Sequence, residues 1–324
     1  MHAAISPVPA PTAGRSLWLM LGLMAASTWG AYVALGLRLD LSGTFTPAAL
    51  CVIYVATTVF YRTIRKEPVI ATALETTGQL LLVIFVGVLL SYAAAAVPLP
   101  YRDAEFHALD RWLGFERQAY VAFVERHPWL EWALNHAYLS ITPQTLLLAG
   151  ALILAGRVSR LQCFIMAFGL SLAATLMIAA VLPATAAGLF VDLPARGFNA
   201  YPAGHYTHVT TLEALRTGAL TAIPVTQLEA LITFPSFHTV NAILFAWAFW
   251  TLPYLRWFAV VLNALMIAST PTAGLHYFVD IIGGFVVAIA AIAIAKRLIK
   301  PLREPSHASA IVGELAVNSQ PALP

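Results

Sequence analysis

Long apolar segments recur along the whole chain and leave little choice of fold. A helix that crosses the hydrocarbon core of a bilayer needs about 20 predominantly apolar residues. Segments that reach or approach this length lie at residues 17–37, 45–61, 79–98, 138–156, 161–183, 237–253, 257–271 and 277–295, the sixth and seventh being short. We therefore predict an all-α integral membrane protein with about eight transmembrane helices.

The composition agrees with a membrane protein and excludes other classes. Hydrophobic residues make up 60% of the 324 residues and charged residues only 10%, against about 25% charged residues in soluble domains. The net charge of +3 is too small to indicate a nucleic-acid partner. Cys51 and Cys163 both fall inside predicted spans, where cysteine packs as a small apolar residue, so we expect neither a disulfide nor a metal pair.

The positions of Arg and Lys orient the predicted helices. Cytoplasmic loops are enriched in Arg and Lys, and the short connections at residues 157–160 and at Arg256 carry Arg. We therefore expect both termini in the cytoplasm, in the inner (plasma) membrane of a bacterium. The long segments 99–137 and 184–236 would then share the outer, periplasmic face.

These outer segments differ in character. Segment 99–137 is amphipathic and aromatic, as in helices that lie in a membrane interface, and segment 184–236 contains a predicted helix at residues 211–220. Either they cover a site at the level of the lipid or they simply cap the surface. Residues 1–16 and 305–324 have a composition that predicts disorder.

Two short motifs place ionisable groups at the starts of the sixth and eighth spans. Residues 235–238 read Pro-Ser-Phe-His and residues 276–280 read His-Tyr-Phe-Val-Asp. An ionisable group at membrane depth costs about 2.5–3.5 kcal/mol on insertion scales, so it indicates function. In a helix, His276 and Asp280 lie one turn apart on one face. The carboxylate can then hold one imidazole nitrogen while the other faces a substrate.

The residues around these motifs favour a helix start and a close helix contact. Pro235 and Ser236 are typical of a helix N-terminus, whose N–H groups bind anions. His238 would stand beside such an anion. Gly283 and Gly284 permit a neighbouring helix to approach closely.

Together the motifs resemble the second and third signatures of the type 2 phosphatidic acid phosphatase superfamily, over about residues 76–298. The third signature consists here of Ser269 and Thr270, then five residues, His276, three residues and Asp280. Its form is closest to the branch that contains inositol phosphorylceramide synthases. The resemblance implies a six-helix core made of the third to eighth spans, with residues 17–61 as an additional N-terminal pair of helices.

The resemblance also implies a mechanism that uses no cofactor and no metal. His276 resembles the nucleophile that forms a phosphohistidine, and Asp280 the group that orients it. His238 resembles the acid and base that serves the leaving and accepting oxygens. Ser236 resembles a phosphate-binding donor.

Two departures from the phosphatase pattern concern phosphate binding. The third signature has an arginine where this chain has Thr270, and the first signature, a lysine followed seven residues later by Arg-Pro, is absent. A bound phosphate still needs cations, and Arg216 is the first candidate, ahead of Arg196 and Arg111. Thr270 and Tyr277 depart toward the inositol phosphorylceramide synthase branch and are candidate substrate contacts.

The leading hypothesis is a membrane-embedded lipid phosphotransferase or phosphatase that favours a phosphodiester headgroup lipid, with a polyol or ceramide as a possible acceptor. The alternatives are a phosphatidic acid-type phosphomonoester phosphatase and a non-catalytic lipid transporter or scaffold of the same fold. A metal-dependent hydrolase with His238, His276 and Asp280 as ligands and a serine protease using Ser236 are weaker alternatives. The sequence does not indicate an oligomeric state.

The predicted orientation can be tested by thiol labelling in intact cells. In a protein without Cys51 and Cys163, Arg157→Cys and Arg256→Cys should resist a membrane-impermeant reagent, because both positions are expected on the cytoplasmic side. A cysteine within residues 199–210 should react. The opposite labelling pattern would move the site to the cytoplasmic face.

Overall fold

The computed structural model describes residues 11–192 and 203–299, and most of these residues are α-helical. Their helices are α1 (Pro11–Leu35), α2 (Phe45–Thr63), α3 (Pro68–Ala96), α4 (Asp103–Trp112), α5 (Arg117–Glu125), α6 (Pro128–Leu139), α7 (Ile141–Leu154), α8 (Val158–Val181), α9 (Ala203–Arg216), α10 (Phe237–Phe249), α11 (Arg256–Ala273) and α12 (Phe278–Leu298). Residues 1–10, the predicted disordered tail at 305–324 and Arg196 lie outside the described residues. Residues 11–16, expected to be disordered, belong to α1, whose first residue is a proline, a residue favoured at helix starts.

All eight predicted apolar segments are helical, which confirms the all-α membrane fold. Within the described residues, five helices are each long and apolar enough to span a bilayer, namely α1, α2, α3, α8 and α12. Helices α6 and α7 pass the same test only as a pair bent by 55°. Pro143 accounts for the bend, because it has no N–H to donate to the carbonyl of Leu139, the last residue of α6. Helix α10 is shorter, as its segment predicted.

Helix α8 lies at the centre of the bundle. It packs against α1, α3, α7, α10 and α12, and the side chains of Leu161, Phe164 and Ile165 are fully buried there. Cys163 is buried on the same helix, whereas Cys51 is exposed on α2, and neither forms a disulfide. Because lipid tails are as apolar as these side chains, the helices are held together by close packing and hydrogen bonds.

The two segments predicted on the outer face contain helices but differ in detail from the prediction. Segment 99–137 forms α4, α5 and the first helix of the bent pair; α4 contacts α12, and α5 contacts α11. The helix predicted at residues 211–220 runs instead from Ala203 to Arg216. It ends before Gly218, whose φ of +75° is the left-handed conformation that terminates helices. A parallel pairing of Arg38–Asp40 with Ala222–Pro224 joins two distant parts of the chain.

Helices α10 and α12 approach each other closely at a pair of glycines, as the sequence predicted. A Cβ atom on Gly284 would lie 2.7 Å from the carbonyl oxygen of Ser236 and 2.9 Å from the Cβ of Thr239. On Gly283 it would lie 3.1 Å from the Cβ of Pro235. The contact brings the two motif segments together, since one motif begins α10 and the other begins α12.

We expect Gly284→Ala to destabilise the protein, because the added methyl group would force α10 and α12 apart. Overpacking of this kind costs about 1–3 kcal/mol. The matched control is Gly150→Ala, where an added Cβ meets nothing within 4 Å. Thermal unfolding in detergent should show a lower midpoint for Gly284→Ala only. An equal midpoint in the two variants would mean that the helix contact tolerates a side chain.

Candidate active site

His276 and Asp280 form a buried hydrogen-bonded pair. The Nδ1 atom of His276 lies 2.9 Å from Oδ2 of Asp280, and Asp280 is completely buried. His276 stands in the loop two residues before α12, and not within the helix as the spacing suggested, yet the contact across four residues is made. A carboxylate only accepts hydrogen bonds, so the neutral tautomer that donates to Asp280 is the one with its proton on Nδ1 and a lone pair on Nε2.

The loop before His276 is shaped by Pro271. Helix α11 continues past this proline to Ala273, and Pro271 has no N–H for the carbonyl of Ile267. The hydroxyl of Thr270 donates to that carbonyl instead, at 2.8 Å. The carbonyl of Thr270 accepts the N–H of His276 at 3.1 Å. Thr270 therefore repairs the helix end and fixes the loop, which explains a threonine here in terms of structure.

Gly274 leaves room for the imidazole of His276. A Cβ atom at this position would lie 2.7 Å from Cδ2 of His276 and 2.9 Å from Cε2 of Tyr138. The next residue, Leu275, has a φ of +53°, a left-handed conformation that is uncommon for residues other than glycine. The loop thus holds His276 in one position at the expense of an unfavourable backbone conformation at Leu275.

Two buried carboxylates of α4 hold the start of α12. Asp110 accepts the N–H groups of Phe278 at 2.8 Å and Val279 at 2.9 Å. Asp103 accepts the hydroxyl of Tyr277 at 2.8 Å and the N–H of Thr185. Burial raises the pKa of Asp110, although the two N–H donors act in the opposite direction. The first N–H groups of α12 are therefore already paired with protein carboxylates.

The start of α10 is different, because it keeps unpaired donors. Ser236 is the N-cap, as predicted, and its Oγ accepts the N–H of Thr239 at 3.4 Å. Its own N–H donates to the backbone carbonyl of Asp280 at 3.0 Å. Within the described residues, the N–H groups of Phe237 and His238 have no hydrogen-bond partner. A helix start with unpaired N–H groups attracts anions.

His238 faces the same space as His276. Its imidazole stacks on the ring of Tyr138, with ring centroids 3.8 Å apart and planes inclined by 15°. Both histidines line one cavity. The structure thus brings together the three residues that the sequence proposed for catalysis, His276, Asp280 and His238.

Arg117 also reaches the site, although the sequence analysis did not select it. Its guanidinium is buried, lines the cavity and donates through Nη1 to the carbonyls of Pro271 and, at 3.2 Å, His276. Burial and the positive charge of Arg117 lower the pKa of His276, while a hydrogen bond between its ring and the backbone of Thr233 raises it. The net lowering of the pKa favours the neutral imidazole at pH 7.

A weak sequence signal for Arg117 existed. In the first phosphatase signature, a lysine precedes the arginine by seven residues. Asp110 precedes Arg117 by the same distance, but an aspartate replaces the lysine and Gln118 replaces the proline. Because both flanking residues of the signature are replaced, the sequence does not mark Arg117 as its arginine.

The cavity has a polar end and an apolar body. Its volume is about 1020 Å³, at the upper end of the range of about 300–1,000 Å³ usual for small-molecule sites. His238, His276 and Arg117 stand at the polar end. The apolar body is formed by α3, α7 and α8, with Leu80, Ile84, Val88, Leu146, Ala149, Phe168 and Leu172 in its walls.

The other predicted site residues lie elsewhere. Arg216 donates to the carbonyls of Val97 and Leu99 and covers the ring of Tyr101 at 4.2 Å, and the cavity-lining residues do not include it. Arg111 is exposed on α4. The side chains of Thr270 and Tyr277 are held by protein partners, and neither residue is among those lining the cavity. Substrate contact by these residues and by Ser236 stays a prediction.

Within residues 11–192 and 203–299, no group of three His, Cys, Asp or Glu side chains is placed to hold a metal ion.

No curated protein and no solved structure matches the chain. The family model described as the PAP2 superfamily matches residues 104–294, within the predicted domain at residues 76–298. Because the match covers more than half of the chain and includes both motifs, the protein belongs to the PAP2 superfamily.

Proposed function

We propose that the protein is a membrane-embedded lipid phosphotransferase or phosphatase that works through a phosphohistidine at His276. Membership of the PAP2 superfamily supports phosphatase or phosphotransferase activity in general. The observation that carries the proposal is the buried pair of His276 and Asp280, 2.9 Å apart, at the polar end of a largely apolar cavity. We further propose a preference for phosphodiester headgroup lipids, as in transfer of the inositol phosphorylceramide synthase type.

The first half of the reaction follows from the placement of the two histidines. The lone pair on Nε2 of His276 attacks phosphorus, and the bond from phosphorus to the leaving oxygen breaks. Protonated His238 gives its proton to that oxygen, which leaves as an alcohol. Asp280 accepts the Nδ1 hydrogen and stabilises the positive charge that forms on the imidazole of His276.

The second half regenerates His276. Neutral His238 takes the proton of a water molecule or of an alcohol acceptor, whose oxygen then attacks phosphorus. The bond between phosphorus and Nε2 breaks, and the electron pair returns to His276. Water gives a hydrolase and a polyol or ceramide gives a transferase, so the same residues serve either outcome.

The phosphate would lie between the start of α10 and Arg117. The N–H groups of Phe237 and His238 offer two donors at the positive end of a helix dipole. Arg117 lines the cavity with a permanent positive charge, which a bound phosphate requires. We therefore propose Arg117 as the phosphate-binding cation, in place of Arg216.

The charge of the cavity supports a substrate of low charge. Among the described residues that line it, the charged side chains besides the histidines are those of Arg117, Glu125, Glu131 and Glu229. The three glutamates are exposed to solvent, which screens their charge, whereas Arg117 is buried. One buried cation balances the single negative charge of a phosphodiester better than the about 1.5 to 2 charges of a phosphomonoester at pH 7. This balance favours the diester over phosphatidic acid.

The nucleophile can be tested with purified protein and paired lipids. His276→Gln should abolish turnover while leaving the thermal midpoint near that of the unmodified protein. Asp280→Asn should lower turnover by roughly 10²–10⁴, the effect expected when an acid–base residue loses its orienting partner. Mass spectrometry after rapid alkaline quenching should find the phosphorus adduct on the peptide that contains His276, with more product from a phosphodiester than from phosphatidic acid.

Several results would contradict this function. Full turnover by His276→Gln would refute the nucleophile. Loss of turnover in a chelator would favour the metal-dependent hydrolase. Much faster hydrolysis of phosphatidic acid than of any diester would refute the charge argument and favour the phosphomonoester phosphatase. Binding without turnover of any lipid would favour a transporter or scaffold.

The role of Arg117 predicts a change in pH dependence. Its positive charge lowers the pKa of His276, so Arg117→Gln should raise that pKa. Because the nucleophile must be neutral, the acid limb of kcat/KM should move to higher pH. KM should rise as well, since a phosphate-binding cation is lost.

Arg216→Gln is the variant that separates the two arginines. If Arg216 binds phosphate, as the sequence analysis predicted, this change should raise KM and leave the acid limb in place, and Arg117→Gln should not affect KM. Circular dichroism and thermal unfolding of both variants check that any loss is not a loss of fold.

A further inference from the structure

Asn241 is a buried polar residue in the wall of the lipid-sized cavity. It lies on α10 three residues after His238, which places the two side chains on the same face of the helix. Its side chain is completely buried, and the residue lines the same cavity as His238, His276 and Arg117. Because α10 begins at the polar end of the cavity, Asn241 lies about one turn deeper in the apolar part.

The amide of Asn241 has a fixed orientation and an unused acceptor. Its Nδ2 donates to the backbone carbonyl of Phe237 at 3.0 Å. A carbonyl cannot donate, so this bond assigns which end of the amide is nitrogen. The Oδ1 atom has no hydrogen-bond partner among the described residues. Buried polar atoms are nearly always paired, so such an oxygen in a cavity wall requires an explanation.

The proposed reaction places a particular part of the lipid next to Asn241. This step rests on the proposed function, in which His238 serves the leaving or accepting oxygen of the lipid. Three residues of an α-helix rise about 4.5 Å, so a lipid whose phosphate-bearing oxygen lies at His238 has its next carbon atoms beside Asn241. The chain ends of that lipid then extend into the apolar body of the cavity.

We propose that Asn241 selects lipids that carry an amide on the carbon next to the phosphate-bearing carbon, as sphingoid-type lipids do. The N–H of such an amide would donate to Oδ1 of Asn241. The second hydrogen on Nδ2 is also available for the carbonyl of the lipid amide. An ester at the same carbon, as in diacylglycerol lipids, offers acceptors only and leaves Oδ1 unpaired. A site with a buried polar group discriminates strongly against an analogue that cannot pair with it.

The test measures binding in a protein that cannot turn over its substrate. His276→Gln, reconstituted in lipid nanodiscs, is titrated with three phosphodiester lipids of identical headgroup and chains, whose second carbon carries an amide, an N-methyl amide or an ester. Displacement of a fluorescent lipid gives the affinities. We expect the amide lipid to bind about tenfold more tightly than the other two, the factor that one additional net hydrogen bond provides.

Two further substitutions locate the preference. Adding Asn241→Leu should abolish it, mainly by weakening binding of the amide lipid. The matched control is Asn263→Leu, because Asn263 is also a buried asparagine of a membrane helix, donates to the carbonyl four residues earlier at 2.8 Å, and has an unpaired Oδ1 in the described structure. It does not belong to the cavity-lining residues, so the tenfold preference should survive its replacement.

Equal affinity for the three lipids, or a preference that survives Asn241→Leu, would overturn the proposal. The comparison of the amide with the N-methyl amide needs no change at Asn241, so it decides the question even if Asn241→Leu does not fold. A preference for the amide in binding, together with an absence of turnover in the unmodified protein, would support selection by Asn241 and refute the phosphohistidine mechanism. The two proposals therefore fail separately.

Discussion

The hydrogen bonds of Asp280 join the two halves of the site. Its backbone carbonyl accepts the N–H of Ser236, which begins α10, while its carboxylate accepts the N–H of Tyr277 and holds the imidazole of His276. A polar group at membrane depth must find its partners within the protein, because lipid offers none. The relative position of α10 and α12, and hence of His238 and His276, depends on this residue and on the small surface of Gly284.

The starts of α10 and α12 differ in whether their N–H groups can bind an anion. Asp110 occupies the first N–H groups of α12, so that helix is not open to an anion. The first N–H groups of α10 have no hydrogen-bond partner among the described residues and can bind an anion, and Arg117 lines the same cavity. In the proposed mechanism, a phosphate therefore binds on one side of His276, while the carboxylate of Asp280 holds the other side of the ring. Helices α4 and α5 are thus part of the site, since they supply Asp110 and Arg117.

Much of the fold could be predicted because its signals are local. A run of apolar residues of the length of a bilayer specifies a membrane helix wherever it occurs, and all eight segments are helical. The N-cap at Ser236 and the close contact at Gly284 also follow from residue type. The bend before Pro143 and the extension of α11 past Pro271 were harder to predict. Each proline leaves the carbonyl four residues earlier without an N–H donor, and the outcome depends on whether another group donates to that carbonyl.

The sequence by itself determined the membrane fold, the two motifs and the pairing of His276 with Asp280, since each rests on spacing within a few residues. Only the tertiary structure decided which arginine reaches the cavity. Arg216 and Arg117 have the same chemistry, but one is held by the carbonyls of Val97 and Leu99 and the other by those of Pro271 and His276. Contacts between residues more than 100 positions apart depend on how the helices pack, and no local pattern encodes that packing.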